Sequence, residues 1–68
     1  MVKLPVISGR ELIKVLQKFG FQVKRQKGSH VLLKKDELRV TVPIHKTIQK
    51  GTLIAILRQS ELQREDLF

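Results

Sequence analysis

The stretch Phe21 to Pro43, FQVKRQKGSHVLLKKDELRVTVP, decides the fold. Phe21 and Val23 alternate with Gln22 and Lys24. Val31 and Leu33 share one parity between His30 and Lys35, and Leu38, Val40 and Val42 alternate with Arg39 and Thr41. Period-2 alternation of this kind marks half-buried strands. Lys27-Gly28-Ser29 and Asp36-Glu37 read as the turns between them, with Gly28 free to take a left-handed conformation. Pro43 cannot donate to a ladder and ends the third strand.

The two turns fix registers that can be checked against each other. A loop at 27–29 pairs Gln26 with His30, Lys24 with Leu32 and Gln22 with Lys34. A turn at 36–37 pairs Lys34 with Arg39, Leu32 with Thr41 and Val31 with Val42. Both hairpins then agree on facing. Phe21, Val23, Val31, Leu33, Leu38, Val40 and Val42 fall on one side, and Gln22, Lys24, Gln26, His30, Leu32, Lys34, Arg39 and Thr41 on the other. A slip of one residue would scramble that agreement.

Helices flank the strands. Ser8 and Glu11 spell a capping box, and Leu12, Val15, Leu16 and Phe19 then share a face, with Ile13 at its margin. Gly20 stands where a helix C-terminus favours glycine, so the first helix is expected over about Gly9 to Phe19. Ile44 to Lys50 has no clear periodicity. Gly51-Thr52 opens a second helix with Leu53, Ile56 and Leu57 as its stripe, ending near Gln59 or Ser60. A tail follows, with one helical turn at Arg64 to Phe68. The expected fold is a two-layer α+β domain of order α-β-β-β-α, an antiparallel three-stranded sheet with both helices on one face and the other face open.

The whole chain has 68 residues, which fits one domain, and no Cys, Trp or Tyr. Disulfides and thiolate zinc sites are excluded, two His are too few for a structural zinc site without carboxylate help, and no cofactor or metal is expected. Large multidomain, dinucleotide-cofactor and thiol-redox enzymes are excluded as well. Lys3 and Pro5 break the first residues, which lack the apolar core of a signal peptide, and the longest strictly apolar run is Leu53 to Leu57. A cytoplasmic protein with no membrane role is the expectation.

Net charge is +8, which favours an anionic partner. Residues 1–50 carry 12 basic and 3 acidic side chains, a net of +9, whereas residues 51–68 come to −1. Lys24, Arg25, Lys27, Lys34 and Arg39 form a basic stripe on or beside the open sheet face. Lys34 opposite Arg39 is unfavourable unless an anion sits between them. No aromatic joins that face, so phosphate contacts are expected rather than base stacking.

His30 lies on the same face, with Lys24 diagonal to it at roughly 7–8 Å in the expected register. An imidazole can take or give a proton near neutral pH. RNA carries its own nucleophile in the 2′-OH, so one positioned base among cations could promote cleavage. The spacing alone favours an idle surface histidine over a catalytic one. Ser29 could donate to a phosphate. A Ser-His nucleophile pair is disfavoured, because neighbours on a strand point to opposite faces and no acid orients the ring. His45 reads as a loop-fixing hydrogen bonder, Gly51-Thr52 as a simple helix start, and the carboxylates as turn and tail residues.

Several of these residues, in this order, resemble the HicA toxin family of type II toxin–antitoxin modules. They are Ser8-Gly9, Leu16 through Gly20-Phe21, Gly28-Ser29-His30, Val42-Pro43 with His45, and Gly51-Thr52-Leu53 leading to Ile56-Leu57. No single piece is specific; the order and spacing together are. The resemblance implies a fold like the double-stranded RNA-binding domain and an endoribonuclease, an mRNA interferase that blocks translation. It places the active-site histidine at His30. It also implies a HicB-type antitoxin as partner, with the chain a monomer alone or a hetero-oligomer with that antitoxin. On that basis His30 is the catalytic candidate, a metal-independent general base for the 2′-OH. Lys24, Lys27, Gly28, Ser29, Lys34 and Arg39 are the RNA-binding candidates. A non-catalytic RNA-binding module of the same fold, or a basic face that meets an acidic protein, remains the alternative.

Overall fold

The computed structural model describes residues 3–68; Met1 and Val2, where the segment read for a leader begins, lie outside the described residues. Helix α1 spans Gly9–Lys18, strands β1, β2 and β3 span Gln22–Lys27, His30–Lys35 and Leu38–Pro43, helix α2 spans Lys50–Ser60, and a 3-10 turn covers Arg64–Leu67. The sheet is antiparallel in the order β1-β2-β3. This is the expected α-β-β-β-α arrangement. Among the described residues no helix is long and apolar enough to cross a membrane.

Helix α1 begins where its capping box places it. The Glu11 N–H donates to Ser8 Oγ at 3.1 Å, and the Ser8 N–H donates to Glu11 Oε1 at 3.1 Å. Those contacts, the Ser8 backbone N–H first and its hydroxyl second, hold the Glu11 carboxyl below the usual carboxylate range, with a further pull from Lys14. Leu12 and Leu16 are fully buried, and the chain leaves the helix through Gly20 at φ 98°. In α2 the buried stripe is Leu53, Ile56 and Leu57, closed by Ser60, whose hydroxyl donates to the Leu57 carbonyl at 3.2 Å.

Both helices contact the sheet, α1 through β3 and β1 and α2 through β3. Their stripes join Val31, Leu33, Val40 and Val42 in one core, so the two helices cover the same sheet face. Ile7 and Ile48 complete that core from segments without helical or strand periodicity, and Leu67 from the 3-10 turn. The Ile44–Gln49 connection is ordered by its main chain. The Gly9 N–H donates to the His45 carbonyl at 2.9 Å, the Ile48 N–H to the Ile7 carbonyl at 2.9 Å, and the Ile44 N–H to the Ser29 carbonyl at 2.6 Å.

The second hairpin has the expected register, with Lys34 opposite Arg39, Leu32 opposite Thr41 and Val31 opposite Val42. The first hairpin departs from expectation. Its turn is two residues, Gly28 and Ser29, so Lys27 rather than Gln26 stands opposite His30. Gly28 takes φ 59° at the first central position, the glycine requirement of a type II′ hairpin. Carried unbroken along β1, that register would turn Val23 to the open face. A bulge between Val23 and Arg25 prevents this: Val23 still faces Leu33 and Gln22 still faces Lys34. Gln26 consequently sits opposite Val31 on the helix-covered side, and Lys24 is not diagonal to His30.

Candidate functional site

The open sheet face is not flat at the β3 side. The exposed flank of α2 rises beside it, and the two enclose a groove of about 760 Å³. From the sheet come Arg25, Lys27, His30, Leu32, Arg39 and Thr41. From α2 come Gly51, Thr52, Ala55 and Gln59, spaced so that one helical flank lines the groove while Leu53, Ile56 and Leu57 face the core. Half-buried Leu32 lies among the exposed polar side chains on the sheet side.

The register explains who meets whom. Directly opposite residues share a face, so Arg25, Leu32 and Thr41 form one row across the sheet, and Lys27 and His30 begin the next. No carboxylate lines the groove. Among the described residues the side chains of Arg25, Lys27, His30 and Arg39 have no hydrogen-bond or ion-pair partner. Uncompensated cations that converge on one depression repel one another and favour an anion placed between them. At the groove's end α2 starts at Gln49 without a side-chain cap and with no acid in its first turn. Its N-terminal dipole therefore adds to the positive potential.

Of the residues singled out in the sequence, Lys27 and Arg39 line the groove with His30. Lys24 and Lys34 do not. They belong to a second cluster with Gln22, Lys35 and Asp36 at the other end of the sheet, where Lys24 Nζ donates to Gln22 Oε1 at 3.2 Å. His30 and Lys34 are four residues apart on β2, roughly 13 Å. Gly28 and Ser29 form the turn; a Cβ added at Gly28 would meet nothing within 4 Å, so that glycine serves backbone conformation rather than close packing. The Ser29 carbonyl accepts from Ile44, which ties the turn before His30 to the segment after β3.

Three contributors lie outside the candidates named from the sequence, although Arg25, Thr52 and His45 are each read there in other roles. Arg25 reaches the groove because the bulge turns it onto the His30 face. Thr52, Ala55 and Gln59 were legible as a small, polar flank on α2 at helical spacing, though nothing in the pattern says that this flank meets the sheet. His45 fixes its loop with its main chain, while its ring has no partner among the described residues and lines a smaller cleft beside His30. Among the described residues, no group of three or more His, Cys, Asp or Glu side chains is placed to hold a metal ion.

Comparison with known proteins agrees with this geometry at the level of family. A family model described as the HicA toxin of bacterial toxin-antitoxin matches residues 9–62, from the first residue of α1 to just beyond α2. No curated protein matches the chain in sequence.

Proposed function

This chain belongs to the HicA toxin family of bacterial toxin–antitoxin systems, and from that premise we propose that its poison is RNA cleavage in the groove between the open sheet face and α2. The observation that carries the reading is His30, exposed and unpartnered, in one acid-free depression with Arg25, Lys27 and Arg39. The substrate is mRNA, and its cleavage stops translation. His30 takes the proton of the 2′-OH, the oxygen attacks the adjacent phosphorus, and the cations stabilise the charge that grows on the phosphoryl oxygens. A 2′,3′-cyclic phosphate and a 5′-hydroxyl result. In this scheme nucleophile, base and charge stabilisers are RNA or protein groups, and no metal is required. Lys24 and Lys34 hold a more distant part of the same strand, and Ser29 assists at the turn.

As a toxin of such a system the chain has an antitoxin partner. In the proposed reading that partner is HicB-like and acidic where it covers the groove, and the complex forms in the cytoplasm.

The test is cleavage of a short RNA with one scissile linkage by the parent and by His30→Ala. The parent should cut, and the variant should fold normally, bind the RNA and cut at least a hundredfold more slowly, the scale of a lost general base. Replacing the scissile 2′-OH by hydrogen should abolish cutting by the parent. Continued cleavage of that deoxy substrate would sink the mechanism. A parent that binds RNA and never cuts it would leave the non-catalytic binding module standing.

A further inference from the structure

The proposed chemistry leaves one proton unaccounted for. When the P–O5′ bond breaks, the electron pair stays on the 5′-oxygen, a strongly basic leaving group unless it is protonated as it departs. We propose that His45 supplies that proton, so that His30 and His45 work as a base and acid pair; the proposal rests on the ribonuclease reading above.

Three observations place His45 for the task. First, His30 and His45 line one small cleft of about 310 Å³ with Thr41, Pro43, Gln49 and Thr52. Of the side chains around that cleft only the two imidazoles are of a type that serves as general acid or base. Second, the register brings the two residues near each other along the chain path. His30 stands opposite Pro43, a Cα separation of roughly 4.5–5.5 Å in an antiparallel pair, and His45 follows two residues later. Third, the His45 backbone is fixed while its ring is unengaged. Its carbonyl accepts from the Gly9 N–H at 2.9 Å and its N–H donates to the Pro43 carbonyl at 3.0 Å. One residue earlier, the Ile44 N–H donates to Ser29, the neighbour of His30, at 2.6 Å. The ring itself has no partner among the described residues. A side chain held this firmly at its root, with both nitrogens available, is organised for a ligand rather than for the loop.

The step balances without another reactant. His30 accepts the 2′-O–H proton as the O2′–P bond forms, and protonated His45 gives its proton to O5′ as the P–O5′ bond breaks. The protein is left with His30 protonated and His45 neutral, and exchange with water resets both.

The experiment compares two substrates that differ only at the leaving atom, a native RNA linkage and one whose bridging 5′-oxygen is replaced by sulfur. A thiolate leaves without a proton, so it has no need of the acid. His45→Ala should cut the native linkage 10²–10⁴-fold more slowly than the parent and the sulfur linkage within tenfold of it. His30→Ala should be slow on both. His45→Gln, which keeps the size of the side chain and removes the proton, should match His45→Ala, and urea midpoints equal to the parent's show that the loop survives. If His45→Ala cuts the native linkage at the parent's rate, or is equally slow on both substrates, His45 is not the acid. Sulfur rescue in Lys27→Gln instead would assign the proton to that amine. A parent that cuts neither substrate overturns the ribonuclease reading, and the acid with it. A parent that cuts both, with no rescue of His45→Ala, overturns the acid alone.

Discussion

Gly9→Ala and Gly51→Ala are the same substitution in the first turn of two helices, and the structure gives them opposite signs. Helix propensity alone favours alanine over glycine by about 0.8–1 kcal/mol in a helix interior, somewhat less at an end. At Gly51 nothing lies within 4 Å of an added Cβ, so Gly51→Ala should stabilise by up to about 1 kcal/mol. At Gly9 the added Cβ would run into the Pro43 carbonyl oxygen, with Ile44 Cα at 2.9 Å and Pro43 C at 3.0 Å. All three obstacles are backbone, in a segment pinned by the Gly9–His45 and Ile44–Ser29 hydrogen bonds, so no side chain can swing aside. Overpacking costs about 1–3 kcal/mol, and stretching the Gly9–His45 hydrogen bond adds about 0.5–1.5 kcal/mol. After the propensity gain, Gly9→Ala should destabilise by about 1–3 kcal/mol. In a domain of this size that lowers Tm by roughly 5–20 °C. Urea titrations followed by far-UV circular dichroism measure both variants on one scale. A Gly9→Ala protein as stable as the parent, or a Gly51→Ala protein that falls as far, would refute the claim that close approach of α1 to the Pro43–His45 segment sets the sequence here.

Ser8→Ala should cost about 1 kcal/mol by opening the capping box. The Glu11 carboxyl is held low in the folded state, so its contribution is present above the unfolded carboxylate range and is lost as pH falls through the folded value; the urea midpoint gap between parent and Glu11→Gln should therefore shrink on going from pH 7 to pH 3. Gly28→Ala should destabilise by about 1–2 kcal/mol through the left-handed turn alone, and Gly28→Asn by less, because asparagine tolerates that conformation; equal thermal melts for all three would count against the turn assignment. In single-strand RNA binding by the His30→Ala protein, Arg39→Gln should reduce the slope of log K against log salt by roughly 0.7, and Lys14→Gln on α1 should leave it unchanged.

Local chemistry made much of this fold legible. The Ser8–Glu11 box, the left-handed Gly20 and the Asp36-Glu37 turn each act within a few residues, and each appears where the pattern puts it. The Ile44–Gln49 connection was opaque for the opposite reason. It is held by main-chain bonds to Gly9, Ile7 and Ser29, which impose no side-chain periodicity, and it buries Ile48 with nothing nearby in sequence to announce it. His45 fixes its loop as expected, but through its main chain, which leaves its ring without a partner among the described residues. Likewise, the α2 flank at Thr52, Ala55 and Gln59 is visible as a flank, but its place beside His30 depends on where α2 crosses β3.

The bulge at Lys24 shows how two correct local rules can conflict. The Gly28-Ser29 turn demands that Lys27 face His30, while Val23, though 45% exposed, keeps to the apolar side opposite Leu33, and the two registers differ by one residue. That residue has to be absorbed somewhere between 23 and 27. Lys24, Arg25, Gln26 and Lys27 are all polar, so none loses a core contact by changing sides, and Gln26 on the helix side is satisfied by donating to the Gly28 carbonyl at 3.1 Å. A bulge next to Val23 keeps the apolar register intact and sends two successive cations toward the open side. Lys24 joins the cluster with Lys34 and Arg25 joins the groove with His30. Bulges commonly re-aim side chains beside sites in this way. Parity alone sets Gln26 on the open face and Arg25 and Lys27 off it, the reverse of what the structure has, because parity assumes an unbroken strand. Here the break supplies the arginine beside the proposed base.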